Sequence, residues 1–450
     1  MALVSERPGS AAPRPWRFPT FERRRLDSGL HVLLADVPGR PLAAARLVLD
    51  AGGTAEPPGR AGVATLAARA LPEGTEDLDG PALAVALEAL GAEVRGELNW
   101  DSMQVRLDVP ASRLGPALEL LAEIVRRPGL RATEVDRLRQ ERLDQISNEK
   151  VDPNVLALRA FERSVFVPGS TYARPLQGDE GTVGDLDAGT VADFYRARLE
   201  AGPATLVVAG DLAGLDVPAL AERAFGAWNS GPFEPTPADV HEVDEPGHII
   251  VVDRPGSVQS VLHLGHTGPA RNTPDYVAVG MMSTCLGGVF GSRLNMKLRE
   301  ERGYTYGAFA GFDFRRHGGT FSARSAVHTE VTAPALADAV EEITHTHDAG
   351  IDEAELAPVR EYRVGIFPIA YETPAAVAAG LADLVVHDLP DGYFDAVRED
   401  MANVTADVVT KAAAAHLRPK RLAMVVVGEA EKITADLEAT GLGPVDSHAE

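Results

Sequence analysis

The sequence predicts an α+β protein made of two tandem homologous α/β-sandwich domains. Three observations carry that expectation: strand-like and helix-like stretches alternate, the same order of elements runs through the chain twice, and an acidic, Pro-rich stretch separates the two runs. Residues 1–20 form a Pro-rich lead expected to be poorly ordered. The first domain is expected over residues 21–229. It opens with the strands "LHVLLADV" and "ARLVLDAG", continues with a helix over about 60–71 and another over about 80–91, and returns to a strand at "MQVRLDVP". Two long helical stretches follow, "LGPALELLAEIVRRP" and "ATEVDRLRQERLDQISNEK", the second with Thr133 as expected N-cap and Glu134 in its first turn. "LDAGTVADFYRARL" predicts a further helix, and "ATLVVAGDL" a buried closing strand.

The second domain, over residues 248–440, repeats this order. "TVADFYRARLEAGPATLVVAGDL" at 190–212 matches "DVVTKAAAAHLRPKRLAMVVVGEA" at 407–430: helix, polar turn with Pro, apolar strand, then Gly and an acid. "GHIIVVDRPGSVQSVLHLGHTGPARN" echoes the opening strand pair, and "YVAVGMMSTCLGG" takes the place of the helix around residue 65. The stretch 230–247, "SGPFEPTPADVHEVDEPG", has linker composition, and residues 441–450 read as a tail. A cleft between the two copies is the expected ligand site.

Composition narrows the function classes. The 450 residues are 45% hydrophobic and 24% charged, ordinary globular usage, and are long enough for two cores. Forty-three Lys and Arg against 66 Asp and Glu leave a formal charge of −23, which repels phosphate backbones and argues against nucleic acid or an anionic membrane as the main partner. The single cysteine, Cys285, excludes an internal disulfide, and its setting in "MMSTCLGG" reads as a small buried hydrophobe. No stretch of signal length opens the chain and no run of 18 apolar residues follows, so a cytoplasmic protein is expected.

Two segments carry chemistry. In "LDAGGTAEPPGRAGVATLAARALPEGT" a helix leads into a Gly-Thr turn. This frame resembles the start of the M16 peptidases, the insulinase or pitrilysin family, whose corresponding helix reads His-x-x-Glu-His: two His one helical turn apart bind zinc, and the Glu polarises water. A second Glu on a later helix completes that family's site. The resemblance places these four roles on Thr65, Ala68, Arg69 and Gln145. Thr is a poor zinc ligand, Ala moves no proton, and Arg sets a permanent cation where the metal would sit, so no metal is expected on this chain.

"SRLNMKLREERGYTYGAFAGF" at 292–312 resembles the second signature of the same family, an Arg near a helix end and a Tyr seven residues later that bind substrate; these fall on Arg299 and Tyr306. A guanidinium and a phenol aimed at a peptide carbonyl stabilise the charge that develops on its oxygen. Other polar residues read as weaker candidates. His345 and His347 point to different helix faces, His263 and His266 to opposite faces of one strand, and "CLGGVFGSR" lacks the lysine of a phosphate loop.

The resemblance covers about residues 22–435. It implies two domains of the M16 type, with a degenerate zinc site in the first and the Arg/Tyr pair in the second. It further implies a non-zinc-binding subunit of a heterodimeric zinc endopeptidase. Arg299 and Tyr306 would then serve as catalytic and substrate-binding groups at the zinc of a partner chain with intact His-x-x-Glu-His, acting on peptides. The alternative it leaves open is a catalytically inactive structural or peptide-binding M16-like protein.

Overall fold

The computed structural model describes residues 15–200, 202–228, 236–244 and 247–448. Twelve strands form two six-stranded sheets. The first half contributes β1 (Phe21–Arg25), β2 (His31–Asp36), β3 (Leu42–Leu49), β4 (Glu93–Leu98), β5 (Met103–Pro110) and β6 (Ala204–Gly210). The second contributes β7 (His248–Asp253), β8 (Gln259–Gly268), β9 (Ala308–Arg315), β10 (Gly318–His328), β11 (Ala423–Gly428) and β12 (Val445–His448). Their orders, β1-β2-β6-β3-β5-β4 and β12-β7-β11-β8-β10-β9, are the same apart from the edge strand. In each sheet the last long strand inserts between two earlier ones: β6 runs parallel to β2 and antiparallel to β3, and β11 parallel to β7 and antiparallel to β8. The duplication visible in the sequence is therefore a duplication of topology.

β6 and β11 are buried at every residue, which explains their continuous apolar text: a strand covered on both faces has no reason to alternate. One face of each sheet packs on helices of its own half. The other face is covered by a helix from the opposite half. Helix Pro153–Val165 lays Leu156, Ala157 and Phe161 against Ile250, Val261 and Val425 of the second sheet. Helix Pro374–Val386 lays Val377, Ala378 and Leu381 against Ala44, Val48 and Val207 of the first. Each fully buried Val or Leu in these contacts contributes about 1.5–3 kcal/mol.

A polar seam ties the halves together beside these helices. The tight turn joining β9 to β10 enters the first half, where Arg316 donates from Nη1 to Asp50 Oδ1 at 3.2 Å and from its backbone amide to Asp101 Oδ2 at 2.9 Å. Asp50 also accepts from the Thr236 amide and hydroxyl, at 2.9 and 2.8 Å. The described part of the linker is thus pinned to the body. It runs beside the end of helix Pro153–Val165, with Val167 N donating to His241 O and Val243 N to Val165 O, both at 3.0 Å.

Three local expectations give way. Residues 1–14 of the lead lie outside the described residues, but 15–20 are not loose: the Phe18 ring stacks on Phe394 at 4.1 Å, its amide donates to Asp395 Oδ1 at 3.1 Å, and Trp16 packs edge-on to Phe367. Burial of two aromatic rings outweighs the disorder a Pro-rich backbone favours. The tail is likewise structured, since β12 extends the second sheet as a parallel partner of β7. Thr133 does not cap its helix, which spans Ala132–Glu149 with Arg131 at the N-cap and no side-chain capping bond. The Arg131 guanidinium is instead bound to the carbonyl of Thr75 at 2.8 Å, which holds that residue outside the helix.

Candidate functional site

Helix Val63–Ala70 is set by its surroundings rather than by its own caps. Its N-terminal amides, Gly62 and Ala64, donate to the buried Glu56 Oε1 at 2.9 Å each, and Arg174 donates to the other carboxylate oxygen at 2.6 Å. Gly62 itself sits at φ 94°, a conformation that favours glycine. Farther along, β4 crosses so close that a methyl group on Gly96 would come within 2.1 Å of the Ala68 carbonyl oxygen. Gly96→Ala is therefore expected to cost about 2–3 kcal/mol, read as a lower urea midpoint, because backbone rather than a flexible side chain fills the space.

All four positions implied for zinc chemistry come together here. Thr65 and Ala68 are buried on the helix, and the Thr65 hydroxyl has no hydrogen-bond partner among the described residues. Arg69 reaches across to helix Ala132–Glu149, donating to Gln145 Oε1 at 3.4 Å and to Glu141 Oε2 at 3.3 Å. At the positions to which the resemblance assigns zinc chemistry, the side chains are of other kinds. A guanidinium now bridges two helices, and the remaining groups, a hydroxyl, a methyl and a carboxamide, offer no set of anionic or imidazole donors. The residues present do not fit zinc. Among the described residues, no three His, Cys, Asp or Glu converge to hold a metal ion elsewhere.

Arg299 and Tyr306 lie in the second half, just before β9, in the turn-and-helix segment that occupies the place of helix 80–90 of the first. Arg299 is on the π-helical segment Asn295–Glu301. Its guanidinium rests 4.6 Å from the centre of the Phe290 ring and 3.3 Å from Glu300. Tyr306 is 91% exposed, and its ring and hydroxyl have no partner among the described residues. The base beneath both is firm. The buried Asn295 side chain donates to the carbonyls of Val289 and Ala308 and accepts from the Ala308 amide at 3.0 Å, so one carboxamide holds the Gly-rich loop, the helix and the start of β9 in register. Arg302, bound to Asp338 at 2.9 Å, anchors the helix end. Phe290, Met296 and Phe309 surround the pair with exposed apolar surface. No hydrogen bond or ring contact among the described residues joins Arg299 or Tyr306 to the Arg69 cluster.

The remaining candidates are structural. Cys285 is buried, and burial, followed by the nearby Glu355 carboxylate, pushes its thiol up to about 12, so it stays protonated. His263 stacks on Phe161 on one face of the second sheet and His266 on Phe321 on the other, as their three-residue step requires. His347 pairs with the adjacent Asp348 at 2.7 Å. Sequence reasoning missed the exchanged helices and a cavity lined by arginines between the halves. Neither has a local motif.

The duplicated sandwich, the emptied zinc frame and the Arg/Tyr segment define a class: the chain belongs to the M16 peptidase family. Residues 31–165 match its description "Insulinase (Peptidase family M16)" and residues 185–362 "Peptidase M16 inactive domain". An uncharacterized zinc protease of Mycobacterium tuberculosis is 24% identical over 90% of this chain and 92% of its own length. The non-peptidase homolog YmxG of Helicobacter pylori is 20% identical over 74% of this chain and 76% of its own. The crystal structure of a peptidase M16 inactive domain from Pseudomonas fluorescens superposes with a TM-score of 0.83 at 25% identity, covering 91% of this chain and 98% of that one.

Proposed function

We propose that this chain is the non-zinc-binding subunit of a heterodimeric M16-type zinc endopeptidase, and that it lends Arg299 and Tyr306 to an active site centred on the metal of a partner whose helix carries an intact His-x-x-Glu-His. The observation that carries this reading is the contrast within one chain. The zinc positions are closed by a buried Thr, a methyl and a bridging Arg, whereas Tyr306 stands 91% exposed on a firmly anchored segment beside Arg299. A phenol so exposed, with no hydrogen-bond or ring partner among the described residues, is available to another molecule. A zinc held by the partner would activate the water, and Arg299 and Tyr306 of this chain would hold the peptide and meet the negative charge that gathers on its carbonyl oxygen. The apolar surface of Phe290, Met296 and Phe309 suits apolar side chains of an extended peptide.

The competing reading, an inactive structural or peptide-binding member, is favoured by the same emptied zinc frame and by the likeness to a non-peptidase homolog. The two part at one experiment. Purified alone, the chain is expected to carry no stoichiometric zinc by elemental analysis and to leave fluorogenic peptides intact. Mixed with an M16 chain that has His-x-x-Glu-His, it is expected to form a complex with one zinc per pair and to hydrolyse those peptides. Zinc or full activity in the isolated chain sinks the proposal, and a zinc-loaded pair without activity favours the competing reading.

A further inference from the structure

Between the two halves, away from Arg299 and Tyr306, lies a cavity of about 450 Å³. Its wall takes Arg23, His31 and Thr205 from the first half, and Arg271, Arg316 and the end of helix Pro374–Val386 with His387 from the second. Three arginines line it together with one exposed carboxylate, Asp388, and two histidines, His31 and His387, whose lowered affinity for protons leaves them neutral near pH 7. In so acidic a chain, a wall that gathers three guanidinium groups is a place where an anion can be met.

The counter-charges are unevenly shared. Arg23 is paired with Asp391 at 2.6 Å, and Arg316 with Asp50 at 3.2 Å and the Val386 carbonyl at 2.9 Å. Arg271 has no carboxylate within ion-pair distance among the described residues. Its guanidinium lies 3.6 Å from the centre of the Tyr276 ring and 5.1 Å from that of Tyr393, and donates to the Tyr393 hydroxyl at 2.5 Å. The two rings orient a half-buried cation, and the nearest carboxylate that acts on it, Asp383, does so without an ion-pair contact. Burial, and then the charges of Arg271 and Arg316, bring His387 down to about 4, a sign of the same positive field. Beside these groups the wall is apolar at Leu384, Val385 and Val386. A few charged groups converging on an apolar wall in this volume describe a site for a small ligand.

We propose that this cavity binds a small organic anion, a carboxylate or phosphate head on an apolar body, with Arg271 as the head-group ligand. The proposal is independent of the peptidase reading, because it involves neither Arg299, Tyr306 nor a partner. It is distinguished from a purely architectural role, in which Arg271 only clamps Tyr276 and Tyr393, by calorimetry and thermal melting of the full chain. The probes are inorganic phosphate, hexyl phosphate and hexanoate, each against potassium chloride at matched ionic strength. Binding of one anion per chain is expected, with a melting temperature that rises with probe concentration. Hexyl phosphate or hexanoate should outperform inorganic phosphate, and the preference between those two identifies the head group. Arg271→Gln is expected to weaken binding by about tenfold or more while Arg271→Lys, which keeps the charge, retains part of it. Circular dichroism and the melting temperature without ligand establish that both variants fold. The proposal is overturned if no probe binds beyond the chloride control. It is overturned equally if folded Arg271→Gln binds like the unsubstituted protein. Should that variant not fold, Arg271→Lys decides: unchanged affinity for all three probes refutes a head-group contact.

Discussion

Arg299→Ala in the reconstituted zinc complex is expected to lower kcat by about 10²- to 10³-fold, with zinc content and assembly unchanged. The physical reason is that a donor aimed at charge present only in the transition state contributes little until that charge develops. Its structural role is small: Arg299 touches its own chain through one loose contact to Glu300 and a stack on Phe290. Contacts of that kind at an exposed site are each worth about 1 kcal/mol or less, so folding should hardly notice the change. Tyr306→Phe removes only the hydroxyl from a side chain that is 91% exposed, and separates the two contributions. A loss of kcat in Tyr306→Phe with KM preserved assigns the phenol to the oxyanion, while a rise in KM alone assigns it to holding the peptide. Unchanged turnover in both variants removes the chain from the chemistry.

Stability is expected to fall steeply as pH drops from about 6.5 to 4.5. Burial brings His263 down to about 3 and His266 to about 4, and burial with neighbouring arginines brings His387 to about 4. For His266 the geometry shows why: Nε2 accepts the Arg418 backbone N–H at 3.0 Å, leaving Nδ1 to donate to the Thr267 carbonyl at 2.7 Å. The neutral ring satisfies both partners, and protonation at Nε2 would break one of them. Between the lowered folded values and the ordinary value near 6.5, the unfolded chain binds protons that the folded chain refuses, so acid favours unfolding. Glu162 acts oppositely. Burial beside Arg315 raises its carboxyl to about 7, so from about 4.5 to 7 the folded state holds a proton that the unfolded state releases. Three histidines against Glu162 alone would leave a net loss of about 3 kcal/mol between pH 6.5 and 5, and Glu56, Asp101, Glu342 and Asp383, whose carboxyls burial also raises, reduce it. Urea titrations across that range measure it directly. Glu162→Gln should steepen the pH dependence, and His263→Phe, which keeps the stack on Phe161, should flatten it by about one proton. A urea midpoint that stays flat over this interval would contradict the neutral, buried state of these rings.

The family frame was legible because it is written in short-range text. The strand-helix-turn order around residues 50–75, the "LREERGYTYG" segment and the repeated closing strands each lie within a single window of the chain. Thr65, Ala68, Arg69 and Gln145 also lie in short-range text, and the Arg69–Gln145 contact joins the two helices that carry them. What escaped the sequence depends on long-range pairing. "PNVLALRAFERSV" and "PAAVAAGLADLVV" read as helices with apolar residues, and nothing within them says that each covers the sheet of the other half. Arg271 and Arg316 stand 45 residues apart and meet His31 and Arg23 only after folding. Trp16 and Phe18 were hidden by prolines, although two aromatic residues in a polar lead were the available sign that it packs.

The reciprocal covering of the sheets has a mechanical consequence. With each half covered by a helix of the other and Arg316 bound to Asp50, the described residues of the two halves are fastened to each other on both sheets. In the pair proposed above, the opening that admits a peptide would then lie along the joint between the two chains, and the strength of that joint would set how often a peptide enters.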